Sequence, residues 1–99
     1  MKFNSELWEK NINVIDRSGY SPRQKMLKDV IKNILPGKNK SEIEQLLGES
    51  LSTDYFRSID MDLIYLMGNE RSLFAIDSEW LLIWLDENGE YEKFKLMTD

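Results

Sequence analysis

The side chains of this chain that could do chemistry are carboxylates. Asp60 and Asp62, and again Asp77 and Glu79, stand two residues apart, a spacing that puts both acids on one side of an extended segment. Paired carboxylates do acid–base work when burial raises the pKa of one of them. The chain has neither His nor Cys. It therefore lacks the usual general base near neutral pH, and it has no thiol nucleophile, thiolate metal site or disulfide. Nothing around either pair predicts such burial. We therefore expect no catalytic residue, no metal and no cofactor, and a protein that is not an enzyme.

Two weaker patterns reduce to structure. Asp86-Glu87-Asn88-Gly89-Glu90 is acidic, but it lacks the twelve-residue ligand spacing of a calcium loop and reads as a hairpin turn. Gly37-Lys38 followed by Ser41 lacks the upstream Gly of a phosphate loop, and Pro36 precedes it.

What remains is charge and aromatic surface. Residues 1–40 hold nine Lys or Arg against four Asp or Glu, and residues 41–99 hold four against fourteen, balances of +5 and −10. The net charge of −5 argues against nucleic acid as a direct ligand. The concentrated acid suits either a solvated surface or a docking face for a basic protein. On the second reading the partner-binding residues are Asp54, Tyr55, Asp60, Asp62, Glu70, Asp77, Glu79 and Trp84. The acids would steer association and Trp84 would supply a desolvated anchor.

The elements that must position these residues are written in local signals. At 99 residues the chain is expected to form a single domain. A leading segment, residues 1–20, should pack on the core, with a short helix over Ser5–Asn13 capped by Asn4 or Ser5 and a turn at Ser18-Gly19. Ser21 opens a longer helix with Pro22 in its first turn and Gln24 completing a capping box. Met26, Leu27, Val30, Ile31 and Ile34 form its apolar stripe, with Arg23, Lys25, Lys28 and Lys32 as a basic face. Pro36-Gly37 ends it. Asn39 and Glu42 form a second box, Ile43, Leu46 and Leu47 follow on one face, and Gly48 stops that helix, so residues 21–48 are a helix pair.

Residues 62–97 read as a three-stranded sheet. Asp62–Met67, Trp80–Leu85 and Tyr91–Met97 are its strands, the last two joined by the Asp86–Gly89 hairpin. Polar residues 49–61 form one loop. Residues 69–79 form another, with Leu73, Phe74 and Ile76 tucking back onto the core. The expected fold is α+β: two N-terminal helices, with a short leading one, packed on one face of an antiparallel meander. The strand Trp80–Leu85 does not alternate. If Leu81, Ile83 and Leu85 face the helices, Trp80, Leu82 and Trp84 face the other way. We expect Phe3, Leu7 and Trp8 to cover them. The alternative is an exposed aromatic patch serving a partner or a weak homodimer.

The series Gly-Lys-Asn-Lys-Ser-Glu-Ile-Glu-Gln-Leu-Leu-Gly-Glu, a strand, then Leu-Ile-Trp-Leu-Asp-Glu-Asn-Gly resembles the BamE/SmpA-OmlA type of domain over roughly residues 25–97. The match is best at Gly37, Leu46, Leu47, Gly48, Asp86, Asn88 and Gly89, with Leu85 where an aromatic is common. The resemblance implies the small α+β fold also seen in the β-lactamase inhibitor protein, and a non-enzymatic binding module. In its acidic, compact character the chain also resembles immunity proteins of bacterial contact-dependent toxin systems. That resemblance implies inhibition of a basic toxin domain, for instance a nuclease.

Residues 1–20 show no unbroken apolar run of the secretory type, and the run Trp80–Leu85 is too short to span a bilayer. We therefore expect a cytoplasmic protein with no membrane contact. The alternative is an envelope assembly adaptor whose leader has been removed.

Overall fold

The computed structural model of the chain describes residues 1–10, 20–51, 59–69 and 78–98. Their order is α1 (Ser5–Lys10), α2 (Pro22–Asp29), a π-helical turn (Val30–Ile34), α3 (Lys40–Leu47), β1 (Leu63–Asn69), β2 (Ser78–Leu85) and β3 (Tyr91–Thr98). The strands pair antiparallel in the order β1-β2-β3. The fold is the expected α+β arrangement, helices first and sheet last. The turn expected at Ser18-Gly19, the middle of the 49–61 loop, and Leu73, Phe74 and Ile76 lie outside the described residues.

Both predicted capping boxes form. Ser21 Oγ accepts the Gln24 N–H at 3.1 Å, and Gln24 Oε1 accepts the Ser21 N–H at 2.9 Å. Asn39 and Glu42 exchange the same pair at 2.9 and 3.0 Å. Asn4 caps α1 by accepting the Leu7 N–H. Pro36 cannot continue the second helix, and its last turn widens instead, with the Leu35 N–H reaching back five residues to Val30 O at 2.9 Å. Gly48 ends α3 with φ 88° and ψ 176°. This is an extended mirror-image conformation open essentially to Gly, not the left-handed helical cap the sequence suggests.

The helices cross the sheet diagonally. Ser21 starts α2 at β1, where its hydroxyl donates to Met67 O. The π-turn delivers the chain to the hairpin end of β3, where the Tyr91 N–H donates to Lys38 O at 2.8 Å and Asn39 bridges Glu90. From there α3 returns to β1, where Tyr65 donates its hydroxyl to Gly48 O at 2.9 Å. Between helices and sheet lies the main core, with Trp8, Met26, Val30, Leu35, Ile43, Leu47, Leu63, Tyr65, Met67, Leu81 and Ile83 all buried. Each large side chain there contributes about 2 kcal/mol by leaving water.

The leading segment departs from expectation. Phe3, Leu7 and Trp8 pack into this helix-side core, not over the opposite face of the sheet. Trp8 has no exposure at all, and its indole N–H donates to Leu47 O at 2.9 Å. An indole that can place its ring in the main core and its N–H on the α3 terminus gains more than one laid on a flat sheet. The opposite face holds a second, smaller core of Ile64, Trp80 and Leu82, against which Ile59, Met61, Leu66, Trp84 and Met97 pack. Trp80 and Leu82 are therefore buried within the chain and are not the exposed patch of the alternative reading.

Arg23 also departs from expectation. The register of β1 on β2 shifts between Leu66 and Gly68, a bulge that interrupts the ladder. The start of α2 supplies donors to the carbonyls there. Arg23 Nη1 donates to Leu66 O at 2.8 Å and its Nε to Trp8 O at 2.7 Å, while the guanidinium lies 4.8 Å from the Trp8 ring centroid. Arg23 is thus a buried clamp between α1, α2 and β1, not part of a solvated basic face. Burial lowers its pKa from 12.5 to about 10, which leaves it charged at neutral pH.

Candidate protein-binding surface

The hairpin end of the sheet gathers three of the eight residues singled out by sequence. β1 begins at Leu63, so the Leu85 N–H on β2 lies beyond its last paired residue. The Asp62 carboxylate accepts it at 2.7 Å, and the Asp62 N–H donates to Ile83 O at 3.0 Å. One residue pair further out, the Trp84 indole N–H donates to Asp60 O. That bond uses the backbone carbonyl of Asp60 and leaves its carboxylate at an exposed position. Trp84 is half-buried, and Lys93 lies over its ring, with Nζ 5.5 Å from the ring centroid.

The hairpin beside them is acidic and rigid. Asp86 Oδ1 accepts the Asn88 and Glu90 N–H groups at 2.8 and 3.0 Å, and the Asp86 and Glu90 backbones pair at 2.7 Å. This is an Asx-type turn, with the Asp86 carboxylate committed to the backbone. Glu87 and Glu90 are left exposed. No group of three or more acidic residues among the described residues is arranged to hold a metal ion.

Glu79 does not join this surface. It is 5% exposed, sits at the far end of β2, and faces the helices, where Gln24 Nε2 lies 3.4 Å from its carboxylate. Strand alternation explains the placement: Glu79 shares its face with Leu81 and Ile83, whereas Trp84 shares the other with Leu82. Asp54, Tyr55, Glu70 and Asp77 lie outside the described residues.

The resolved pKa shifts belong to the scaffold. Burial raises Tyr65 above the usual phenol value of 10.0, and burial also raises Tyr91. The Phe3 N–H, at 2.7 Å, and the Asn33 amide hold Asp29 below 3.8. Tyr65 and Asp29 are tied to the packing of α1, α2 and α3, whereas Tyr91 opens β3 opposite Leu85 and packs into the helix-side core. Sequence reading missed two other features. One is Lys93 over Trp84, which follows from the pairing of β2 with β3. The other is a groove between α2 and β3 lined by Leu27, Ile31 and Phe94, which needs the diagonal crossing.

Compared with known protein families, with curated proteins and with solved structures, the chain matches none of them. No helix among the described residues is long and apolar enough to cross a membrane.

Proposed function

We propose that this chain is a non-enzymatic protein-binding module of the immunity type, which binds and neutralises a basic bacterial toxin domain. The observation that carries this reading is the meeting of Asp60, Asp62 and Trp84 at one end of the sheet, beside the exposed Glu87 and Glu90 of a rigid hairpin. A half-buried indole already held by a hydrogen bond loses little entropy on binding and suits the centre of an interface. Acids around it steer a cationic partner and can occupy the site where a nuclease holds phosphate. The partner is a protein, the inhibitor acts where its toxin would act, in the cytoplasm, and no cofactor takes part.

Co-expression with the neighbouring open reading frame of the native gene tests this. The expected result is a toxic neighbour whose toxicity the chain abolishes. The Trp84→Ala variant should bind it roughly 30-fold more weakly, the loss of one anchor of about 2 kcal/mol. A harmless neighbour, or toxicity that the chain leaves unchanged, overturns the reading.

A second reading is supported by the sequence resemblance to the BamE type of domain, which rests on an Asn39-capped helix ending at Gly48 and a later Asp86–Gly89 hairpin. On that reading the chain is an envelope assembly adaptor, and the sheet face and residues 49–61 contact its partner. A lipobox cysteine encoded upstream of Met1 would support this second reading and count against the first.

A further inference from the structure

The β3 strand is an edge of the sheet among the described residues, where the contacts seen from outside are at its first residue, Tyr91, and at Glu90 just before it. There, the segment Lys38-Asn39 lies alongside it, with the Tyr91 N–H donating to Lys38 O and Asn39 bridging Glu90 antiparallel. This incipient fourth strand stops because Pro36 and Gly37 turn the chain away into the π-helical turn. Beyond it, Glu92, Lys93, Phe94 and Lys95 are all exposed. An open edge of this kind is a template for another strand.

The surroundings select its partner. On the helix side of the edge runs a groove of about 340 Å³ lined by Gln24, Leu27, Lys28, Ile31, Lys32 and Phe94. Its floor is apolar, Phe94 is 39% exposed, and Lys28 and Lys32 stand exposed on its rim. Across the sheet, Lys93 and Lys95 pair with Trp84 and Leu82 and project from the other face of the same edge. Lysines therefore flank the edge on both faces, with one apolar slot between them.

A second copy of this chain is a poor occupant. Antiparallel pairing of β3 with itself around Phe94 would set Lys93 of each copy opposite Lys95 of the other, and like charges directly opposed are destabilising. We propose that the free part of β3 takes up an extended acidic peptide segment of a partner as a fourth strand, with one apolar side chain in the Leu27–Ile31–Phe94 slot and carboxylates on Lys28, Lys32, Lys93 and Lys95. The backbone ladder would supply affinity, and the slot and its lysine rim would supply selectivity. This surface follows the edge of the sheet, and Lys93 is the residue it shares with the Trp84 cluster. It stands whether or not that cluster binds a toxin.

The test uses the full chain, labelled with ¹⁵N, and the synthetic nine-residue peptide TEETVTEET, which carries glutamates on both faces of an extended strand and one central valine. Controls are a peptide of the same composition with its valine moved to one end, and polyglutamate of equal length. The expected result is saturable binding of the central-valine peptide, with amide shifts concentrated on residues 93–97. The Lys28→Glu/Lys32→Glu double variant, altered only at exposed positions, should bind roughly tenfold more weakly, and Phe94→Ser should also weaken it. Equal binding of either control shows a diffuse electrostatic surface and overturns the proposal. So do shifts centred away from β3, pairing of β3 with a second copy, or no binding at millimolar peptide.

Discussion

Replacing Arg23 with Ala tests how the bulge in β1 is tied to the helices. The guanidinium donates to Trp8 O and Leu66 O and lies over the Trp8 ring. Each charge-assisted hydrogen bond contributes about 1.5–3 kcal/mol, and the ring contact about 0.5–1. Returning the cation to water recovers part of this, since burial already lowers its pKa to about 10. The two carbonyls left without their donor add a cost of their own. The net expectation is a loss of about 2–4 kcal/mol, a large fraction of the stability of a small domain. Urea unfolding followed by tryptophan fluorescence reads this as a midpoint lowered by roughly 1.3–4 M, given a slope of about 1–1.5 kcal/mol per molar urea. Arg23→Lys should fall between, because an ammonium lacks the fork that reaches both carbonyls. Lys28→Ala, at an exposed position on the same helix, should change stability by less than about 0.5 kcal/mol. An Arg23→Ala loss as small as that of Lys28→Ala would refute the clamp and return Arg23 to the solvated face.

Gly68→Ala should destabilise the fold by about 1–3 kcal/mol, because an added Cβ would lie 3.0 Å from Ser21 Oγ at a φ of +141°; thermal unfolding checks it. Above pH 10 the protein should lose stability. The pKa of Tyr65 is raised by burial, so its contribution is complete below the unfolded value of 10.0 and is lost as pH rises through the folded one. The lowered pKa of Arg23 acts oppositely over the same range, so Tyr65→Phe, compared with the parent from pH 9 to 11.5, isolates the contribution of Tyr65. In acid, Asp29 contributes stability above its ordinary pKa of 3.8 that is lost as pH falls through its lowered folded value. Asp29→Asn should therefore flatten the stability curve between about pH 5 and 2 and expose the Phe3 amide to faster hydrogen exchange.

Local signals carried most of the fold because they are written within a few residues. Ser21 with Gln24 and Asn39 with Glu42 satisfy the first N–H groups of their helices from three residues away, and the structure forms both boxes. The Asp86–Gly89 hairpin is equally local, with Gly89 at φ 78°. Long-range choices were not legible. The apolar 3.6-residue period of α2 places Arg23 beside the lysines, but only the bulge at Leu66–Gly68 and the position of Trp8 make it worth burying. Likewise, the burial of Trp8 under α2 and α3 depends on a carbonyl at Leu47, 39 residues away. In the candidate site, Asp60, Asp62 and Trp84 were found as residue types, and strand pairing brings them together. Alternation sent Glu79 to the helix side, which pairing Asp77 with Glu79 in sequence could not reveal.

The proposed function is the binding of a basic toxin domain by the Asp60–Asp62–Trp84 end of the sheet. Its most direct measurement is calorimetric titration of the purified chain with the catalytically inactivated product of the neighbouring gene, beside the Asp60→Lys/Trp84→Ala variant. The expected result is a one-to-one complex that weakens at least tenfold from 0.1 to 0.5 M salt and roughly 100-fold or more in the variant. Equal affinity of parent and variant, or no heat of binding at micromolar concentration, would contradict it.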